Sequence, residues 1–193
     1  MALTKSTTQS LKNQLPKLVQ SQARNIVRRA FEKLKTKMIA EFQGHPVTRE
    51  IRGGINAQNI SNTLGGITNL YSFIGFDSNS DPIEPIEDLL LRTDVRFVKI
   101  NKQMIEFEVT LPEAGEIFAA TPLPWAPGRS WAKGIESGLS GLGYYLKKSS
   151  SSSRSGLGIQ TSQKVRKGVK FNNTKYISSF LKKYQKEFEN ITL

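Results

Sequence analysis

Few side chains in this sequence could carry acid–base, nucleophilic or metal chemistry. The 193 residues contain no cysteine and one histidine, His45, which precedes Pro46 at the end of a predicted helix. A histidine in that position favours a structural or solvated role over catalysis. Without thiolates or a second imidazole, only carboxylates could ligate a metal ion. We therefore expect no cysteine nucleophile, no histidine-based metal site and no cofactor.

The carboxylates that lie close together in the sequence have simpler explanations than catalysis. Glu84, Glu87 and Asp88 fall in the first turns of a predicted helix. Acidic residues there complement the helix dipole. Glu106 and Glu108 share one face of a predicted strand, and the polar side of a half-buried strand accounts for them. Neither group predicts an acid–base site.

A glycine-rich stretch, GLSGLG at residues 138–143, is the candidate for a phosphate-binding loop. It does not follow a strand and open a helix, and the chain contains no GK[ST] sequence. Both features are needed for the known nucleotide fingerprints. Together with the scarcity of catalytic side chains, this predicts a protein that is not an enzyme.

The net charge of +12 is distributed unevenly along the chain. Residues 1–52 carry eleven basic and three acidic residues, net +8, and residues 53–76 carry no charge. Residues 77–116 carry four basic and ten acidic residues, net −6, and residues 117–193 carry thirteen basic and three acidic residues, net +10. This layout suits binding to DNA phosphates, and it suits head-to-tail packing of copies, acidic face against basic face. The charge distribution alone does not decide between DNA binding and head-to-tail packing.

The elements that must position these residues begin with an amphipathic helix over residues 18–42. Its apolar side chains recur every three or four residues, and Ile26 widens the stripe. The other face is basic, with Arg24, Arg28, Lys35 and Lys37. The stripe consists of Val27, Phe31, Leu34, Met38 and Phe42.

The middle of the chain alternates between predicted extended and helical segments. Residues 47–55 favour a short strand or an extended segment, and the apolar run at residues 70–76 has strand character. A helix is predicted over residues 82–92, because Asp81 and Pro82 form a typical helix start. Residues 95–100 and 104–111 alternate apolar and polar side chains, which predicts a β-hairpin.

The segment at residues 121–146 holds both tryptophans and an adjacent tyrosine pair. Its prolines predict an extended entry, and Ser130 is placed to cap a short helix that begins at Trp131. Large aromatic side chains on such a segment either close the core of the domain or dock on a neighbouring subunit. Our candidates for subunit contacts are Trp125, Trp131, Tyr144, Tyr145, Tyr71 and Phe73.

The C-terminal part is basic and contains a serine-rich tip. We predict a hairpin with a mobile tip at residues 149–158, followed by a final helix that Asn173 or Thr174 caps. Its apolar face comprises Ile177, Phe180, Leu181, Tyr184 and Phe188. Our candidates for contact with DNA in a channel, or with an acidic partner, are Lys147, Lys148, Arg154, Lys164, Arg166 and Lys167.

These patterns predict an α+β fold. A long N-terminal amphipathic helix and a C-terminal helix pack on an antiparallel β-sheet with extended loops. Residues 1–17 are polar and predict a flexible N-terminal arm, and residues 18–193 predict a single domain. No run of residues is long and apolar enough to predict a membrane span.

In its order of segments the chain resembles the neck proteins of tailed bacteriophages, the tail-completion or head-to-tail joining family. The resemblance covers most of residues 18–190. It rests on the basic helix LVQSQARNIVRRAFEKLKTKMIAEF, the passage HPVTREI…NISNTLGGITNLYSFIGF, the acidic strand segment, the segment WAPGRSWAKGIESGLSGLGYYL and the lysine-rich tail.

The resemblance implies an α+β subunit that assembles as a ring around a central channel, with six copies expected. The protein is then a structural component of the virion, at the junction of head and tail. Its implied partners are copies of itself, the head connector or adaptor proteins, the tail terminator and, without sequence specificity, the genomic DNA in the channel. Two alternatives stay open: a tail terminator protein, and a non-viral basic nucleic-acid-binding protein.

Overall fold

The computed structural model describes residues 5–12, 17–66, 68–100, 104–124, 126–138, 147–148, 158–159 and 171–191. The helices are α1 (Lys17–Gly44), α2 (Pro46–Arg52), α3 (Leu70–Ile74), α4 (Glu84–Leu91), α5 (Ala114–Ala119), α6 (Trp131–Ser137) and α7 (Ile177–Glu189). The strands are β1 (Lys5–Lys12), β2 (Asp94–Ile100), β3 (Met104–Leu111), β4 (Pro122–Leu123), β5 (Ala126–Ser130), β6 (Lys147–Lys148) and β7 (Gly158–Ile159). The fold is α+β, as predicted.

The chain divides into two compact units. The first unit comprises Met1–Phe42, Glu87–Glu116 and Ser178–Leu193, and the second comprises Gln43–Ile86 and Ile117–Ile177. Because each unit draws on separate stretches of the chain, no single linker in the sequence separates them.

The sheet of the first unit is antiparallel and has the order β1-β3-β2. Val95 pairs with Val109 and Phe97 with Phe107, and three of these four side chains are buried; Phe97 is half-buried. The predicted hairpin of β2 and β3 is therefore confirmed, with a register shift between Phe97 and Lys99. On the outer face, the Arg96 guanidinium lies 2.6 Å from the Glu108 carboxylate.

The N-terminal segment corrects an expectation. Residues 1–17 were predicted to form a flexible arm, but Lys5–Lys12 form β1 and pair antiparallel with β3. Lys5 lies opposite Leu111, and Lys12 lies opposite Met104. Strand pairing uses backbone N–H and C=O groups, so a polar segment without an apolar pattern can still occupy a sheet edge.

Helix α1 confirms the long N-terminal helix and most of its apolar stripe. Its buried side chains are Ala23, Val27, Phe31, Met38 and Phe42. The exceptions include Leu34, which is half-buried, and Ile26, which is 48% exposed. Helix α1 also contacts the sheet side of the first unit: the Arg24 guanidinium lies 5.7 Å from the centroid of the Phe97 ring, and Lys35 Nζ donates to the Thr93 carbonyl at 2.7 Å.

Helix α2 occupies most of the segment that was predicted to be extended, residues 47–55. His45 caps it, because Nδ1 of the imidazole accepts a hydrogen bond from the Val47 N–H at 3.2 Å. Pro46 at the first helical position fits the fixed φ of proline. Val47 and Ile51 are four residues apart and both buried. The β-branched residues suggested a strand, but this cap and the apolar spacing favour the helix.

Helix α3 likewise replaces the strand predicted for the apolar run at residues 70–76. The Asn69 side chain accepts from the Ser72 N–H at 2.9 Å, and Gly75 ends the helix with φ of 80°. A left-handed glycine of this kind is a common helix terminator. Every residue of α3 is buried. A helix that is apolar on all sides has no 3.6-residue period, so the sequence could not distinguish it from a buried strand.

The segments around Trp131 and α7 are close to prediction. Ser130 caps α6 by accepting from the Lys133 N–H at 3.1 Å.

The apolar face predicted for α7 is buried, but α7 begins only at Ile177. Asn173 and Thr174 therefore do not cap it, and the Thr174 N–H donates instead to the Ile135 carbonyl at 3.0 Å. Antiparallel pairing of β6 with β7 agrees with the predicted hairpin, whose tip lies outside the described residues.

A buried carboxylate holds the uncharged stretch of the second unit in place. Glu50 on α2 is fully buried, and its Oε1 accepts from Asn59 Nδ2 at 2.8 Å and from the Leu70 N–H at 2.7 Å. Its Oε2 accepts from the Ser61 N–H at 2.8 Å. One side chain thus fixes α2, the start of α3 and the segment at residues 57–66, which we name the Glu50 loop.

Replacing this carboxylate should make the protein less stable. In Glu50→Ala, the N–H groups of Ser61 and Leu70 and the Asn59 amide lose their acceptor inside the protein. We expect the free energy of unfolding to fall by about 3 kcal/mol, measured by urea denaturation. Glu32→Ala, which removes an exposed carboxylate from α1, is the matched control and should change stability by less than about 0.5 kcal/mol. Equal losses in the two variants would contradict the role of Glu50.

Candidate nucleic-acid interface

Helices α1 and α7 pack side by side in antiparallel orientation. The Phe31 ring lies 5.5 Å from Phe188, and the Phe42 ring lies 5.8 Å from Phe180. Residue numbers therefore increase along α1 in the direction in which they decrease along α7. The aromatic rings lie beneath the seam between the helices and are buried. This contact brings together the two basic helices that the sequence could only describe separately.

Ion pairs cross the same seam at the surface. Lys183 Nζ lies 2.5 Å from Oε1 and 2.6 Å from Oε2 of Glu41. The Tyr184 hydroxyl donates to Oε2 of Glu41 at 2.6 Å. Towards the other end of the seam, Lys37 Nζ donates to the Glu187 carboxylate at 2.8 Å. The ion pairs follow the same antiparallel register as the aromatic contacts.

This network shifts the titration of two groups. The hydrogen bond from Lys183 lowers the pKa of the Glu41 carboxyl below its ordinary value, and the hydrogen bond from Tyr184 lowers it further. Burial raises the pKa of the Tyr184 hydroxyl, and its hydrogen bond to Glu41 adds to that rise. At neutral pH, Glu41 is therefore an ionised acceptor and Tyr184 a neutral donor.

The basic side chains of the two helices form one exposed surface, which we name the α1–α7 basic face. Arg29, Lys33 and Lys37 follow each other at four-residue intervals, so they lie along one side of α1. They span about 12 Å along the helix axis. Six basic residues on this face are exposed: Arg29, Lys33, Lys37, Lys182, Lys183 and Lys186.

The basic face carries an excess of positive charge despite its ion pairs. Glu41 and Glu187 are the carboxylates at the seam, so six basic residues meet two acidic ones and leave a net charge of +4. Lys182 and Lys186 lie four residues apart on α7. A surface of this kind attracts phosphates without reading a base sequence, because its contacts are to charge alone.

The structure places the aromatic candidates for subunit contacts differently from our prediction. Trp131, Tyr71 and Phe73 are buried in the core of the second unit, with Trp131 only 1% exposed. The Trp131 ring contacts Phe76 in an edge-to-face arrangement at 5.6 Å. In this conformation the three side chains are not available to a neighbouring subunit, which agrees with the core alternative for Trp131. Trp125, Tyr144 and Tyr145 lie outside the described residues.

The basic candidates of the C-terminal hairpin are largely beyond what the structure describes. Lys147 and Lys148 form β6, of which only the backbone pairing with Gly158–Ile159 is described. Arg154, Lys164, Arg166 and Lys167 lie outside the described residues.

A groove in the first unit was not predicted from the sequence. It lies between the residues that follow β3 and one side of α7, and it has a volume of about 520 Å³. Leu111, Pro112 and Leu181 supply its apolar lining, and Glu113 and Lys182 contribute one charge of each sign. The sequence held no signal for it, because its two sides are about 70 positions apart.

The described residues hold neither a cluster of metal ligands nor a helix that could span a membrane. Among these residues, no three His, Cys, Asp or Glu side chains lie close enough together to hold a metal ion. Each helix that the structure describes is too short or too polar to cross a lipid bilayer.

Comparison with protein-family models, with curated proteins and with solved structures gives no match to this chain.

The seam between α1 and α7 should make stability depend on pH. The pKa of Glu41 is lower in the folded protein than its ordinary value of 4.5. The network therefore stabilises the fold above that pH and loses its contribution as the pH falls through the folded pKa. We expect Glu41→Gln to unfold at lower urea concentration than the wild type at about pH 7, and the difference to shrink as the pH falls below 4.5.

The matched control is Glu32→Gln, which changes an exposed carboxylate of the same helix. Its difference from the wild type should be small at each pH, since exposed carboxylates contribute little to stability. A difference for Glu41→Gln that stays constant from about pH 3 to about pH 7 would show that the ion pair does not stabilise the seam.

Proposed function

We propose that this protein is a non-catalytic structural subunit of a tailed-phage particle and forms part of the neck ring that joins the DNA-filled head to the tail. In this proposal the α1–α7 basic face lies near the DNA path, and other surfaces contact neighbouring subunits. The observation that carries the proposal is the union of the two basic helices in one exposed face, because the resemblance implies a protein that borders a DNA channel.

The physical character of the face suits DNA that moves past it. Its positive charges lie at the ends of flexible side chains on two helices, and they are not arranged to read particular bases. Each phosphate contact releases a condensed counterion, and the affinity falls as salt rises. A neck must tolerate DNA during packaging and ejection without holding it. Weak, sequence-independent contact meets that requirement, whereas tight binding would obstruct passage.

The same face also favours a second candidate, a basic nucleic-acid-binding protein that works outside any particle. That protein would bind duplex DNA at micromolar concentration or tighter, with a steep salt dependence and without self-assembly. A tail terminator is a third candidate within the particle. The three differ in where the protein is found.

Immunogold electron microscopy of particles from the source strain tests the proposal. We expect an antibody against the whole protein to label the junction of head and tail. Label elsewhere on the tail would favour the terminator. If the polypeptide is missing from both intact and denatured particles, the phage proposal fails and the nucleic-acid-binding candidate takes its place.

The contribution of the basic face to DNA binding can be measured separately. Lys182→Gln combined with Lys186→Gln should leave the fold intact and weaken binding to a duplex of arbitrary sequence. If both lysines contact phosphates, the slope of log affinity against log salt should become less steep by about 0.9 per lost contact.

The matched control removes two exposed lysines that lie on neither α1 nor α7, in Lys99→Gln combined with Lys175→Gln. Its net charge equals that of the test variant, so a general charge effect would lower both salt slopes alike. Equal slopes for the test and control variants would remove the basic face from the proposal.

A further inference from the structure

Helix α4 carries a row of acidic residues that ends in an exposed leucine. Glu84, Asp88 and Leu91 are exposed and follow each other at intervals of four and three residues, so they lie on one side of the helix. Leu91 is 54% exposed. The buried side chains of Ile86 and Leu90 lie on the other side. We name the three exposed residues the α4 stripe.

Helix α1 carries a row of the same design with the opposite charge. Ile26, Arg29 and Lys33 are exposed and follow each other at intervals of three and four residues, and we name them the α1 stripe. Ile26 is 48% exposed. Each stripe thus has an exposed apolar side chain at one end, two like charges beside it, and a length of about 10 Å along its helix.

The two stripes match when their helices run antiparallel. The order of apolar side chain, first charge and second charge rises in residue number along α1 and falls along α4, with the same spacing of three and then four residues. The pairs that face each other in antiparallel helices are Ile26 with Leu91, Arg29 with Asp88, and Lys33 with Glu84. Parallel helices would place an apolar side chain against a charge at both ends.

The α1 stripe faces away from α4 of its own chain. Lys35 Nζ donates to the carbonyl of Thr93, two residues beyond α4, so the C-terminal end of α4 lies on the Lys35 side of α1. Lys33 precedes Lys35 by two residues, which is a rotation of about 200° around the helix. Among the described residues, ion pairs engage Lys37 and Lys183 but none of the four charges of the stripes. These charges are therefore available to a second molecule.

We propose that the α1 stripe of one copy docks against the α4 stripe of a second copy. Opposite charges at matched spacing select one orientation and one register, and the apolar pair withdraws two exposed side chains from water. The contact joins two different surfaces of the same chain, which is the heterologous arrangement that generates rings. It rests on the proposed function in that it requires self-association. It uses the α1 row of the basic face and leaves Lys182 and Lys186 on α7 for the DNA path.

Charge reversal tests the contact in protein freed of nucleic acid. One variant carries Arg29→Glu and Lys33→Glu, and the other carries Glu84→Lys and Asp88→Lys. Each alone should associate at least about tenfold more weakly than the wild type in sedimentation, because two attractions become two repulsions. A mixture of the two variants should associate as the wild type does, because each then meets the opposite charges on the other.

The matched control reverses two cations outside both stripes, in Lys182→Glu combined with Lys186→Glu. Its net charge equals that of the variant with a reversed α1 stripe, and it should associate as the wild type does. Circular dichroism before each run establishes that every variant is folded.

Cross-linking tests the register without changing any charge, because the chain has no cysteine of its own. Ile26→Cys places a thiol on the α1 stripe, and Leu91→Cys places one on the α4 stripe. Mixed and treated with a short bismaleimide, they should give more cross-linked heterodimer than either variant alone gives homodimer. In the control mixture Ile60→Cys replaces Ile26→Cys, since Ile60 is a similarly exposed isoleucine outside both stripes.

The outcomes separate this contact from the proposed function. If the charge-reversed variants associate as the wild type does, if their mixture does not associate, or if Ile26→Cys cross-links no better than Ile60→Cys, the contact is wrong while the neck proposal stands. A wild type that stays monomeric at every concentration also overturns the contact. The position of the protein in the particle is decided by immunogold labelling alone.

Discussion

Glu50 places a carboxylate in the protein interior, where water cannot solvate it. Burying such a group is costly unless hydrogen bonds replace the lost hydration. Here two backbone N–H groups and one amide do so, and they belong to segments that have no other strong reason to meet. The Glu50 loop has few large apolar side chains and no ion pairs. Glu50 therefore holds the loop to α2, together with the hydrogen bonds that Asn59 and Asn172 make within and to it.

The start of α3 also depends on the Glu50 carboxylate. The Leu70 N–H that Glu50 accepts is one of the unpaired donors at the start of α3, and Asn69 takes another. Asn69 also donates from Nδ2 to the carbonyls of Ile55 and Ala57. Amide side chains thus supply, with Glu50, the polar partners that a long irregular segment cannot find in a sheet or helix. This explains why the stretch is rich in asparagine.

An element could be predicted from the sequence when the interactions that form it are local. Periodicity identified α1 and the β2–β3 hairpin, because each repeats a local pattern over many residues. It failed for α2 and α3, which are short and whose structure depends on single caps at His45 and Asn69. It also gave no sign of the two compact units, since segments from distant parts of the chain alternate between them.

The candidate sites show the same limit. Each basic helix could be predicted alone, but only the aromatic pairs at the seam show that α1 and α7 run antiparallel and share one face. The groove and the buried position of Trp131 depend on residues far apart in sequence. Glu50 itself looked like an ordinary acidic residue between Arg49 and Ile51. Nothing local distinguishes a buried acceptor from a solvated carboxylate when its partners lie up to 20 positions away.

The charged and uncharged surfaces of this chain differ in how they respond to ions. Contacts of the basic face weaken as salt screens them and counterions compete. Apolar contacts are insensitive to simple screening and are strengthened by excluded salts such as sulfate. Burial shields the Glu50 carboxylate from these ions, whereas Arg49 and Arg52 beside it on α2 are exposed to them.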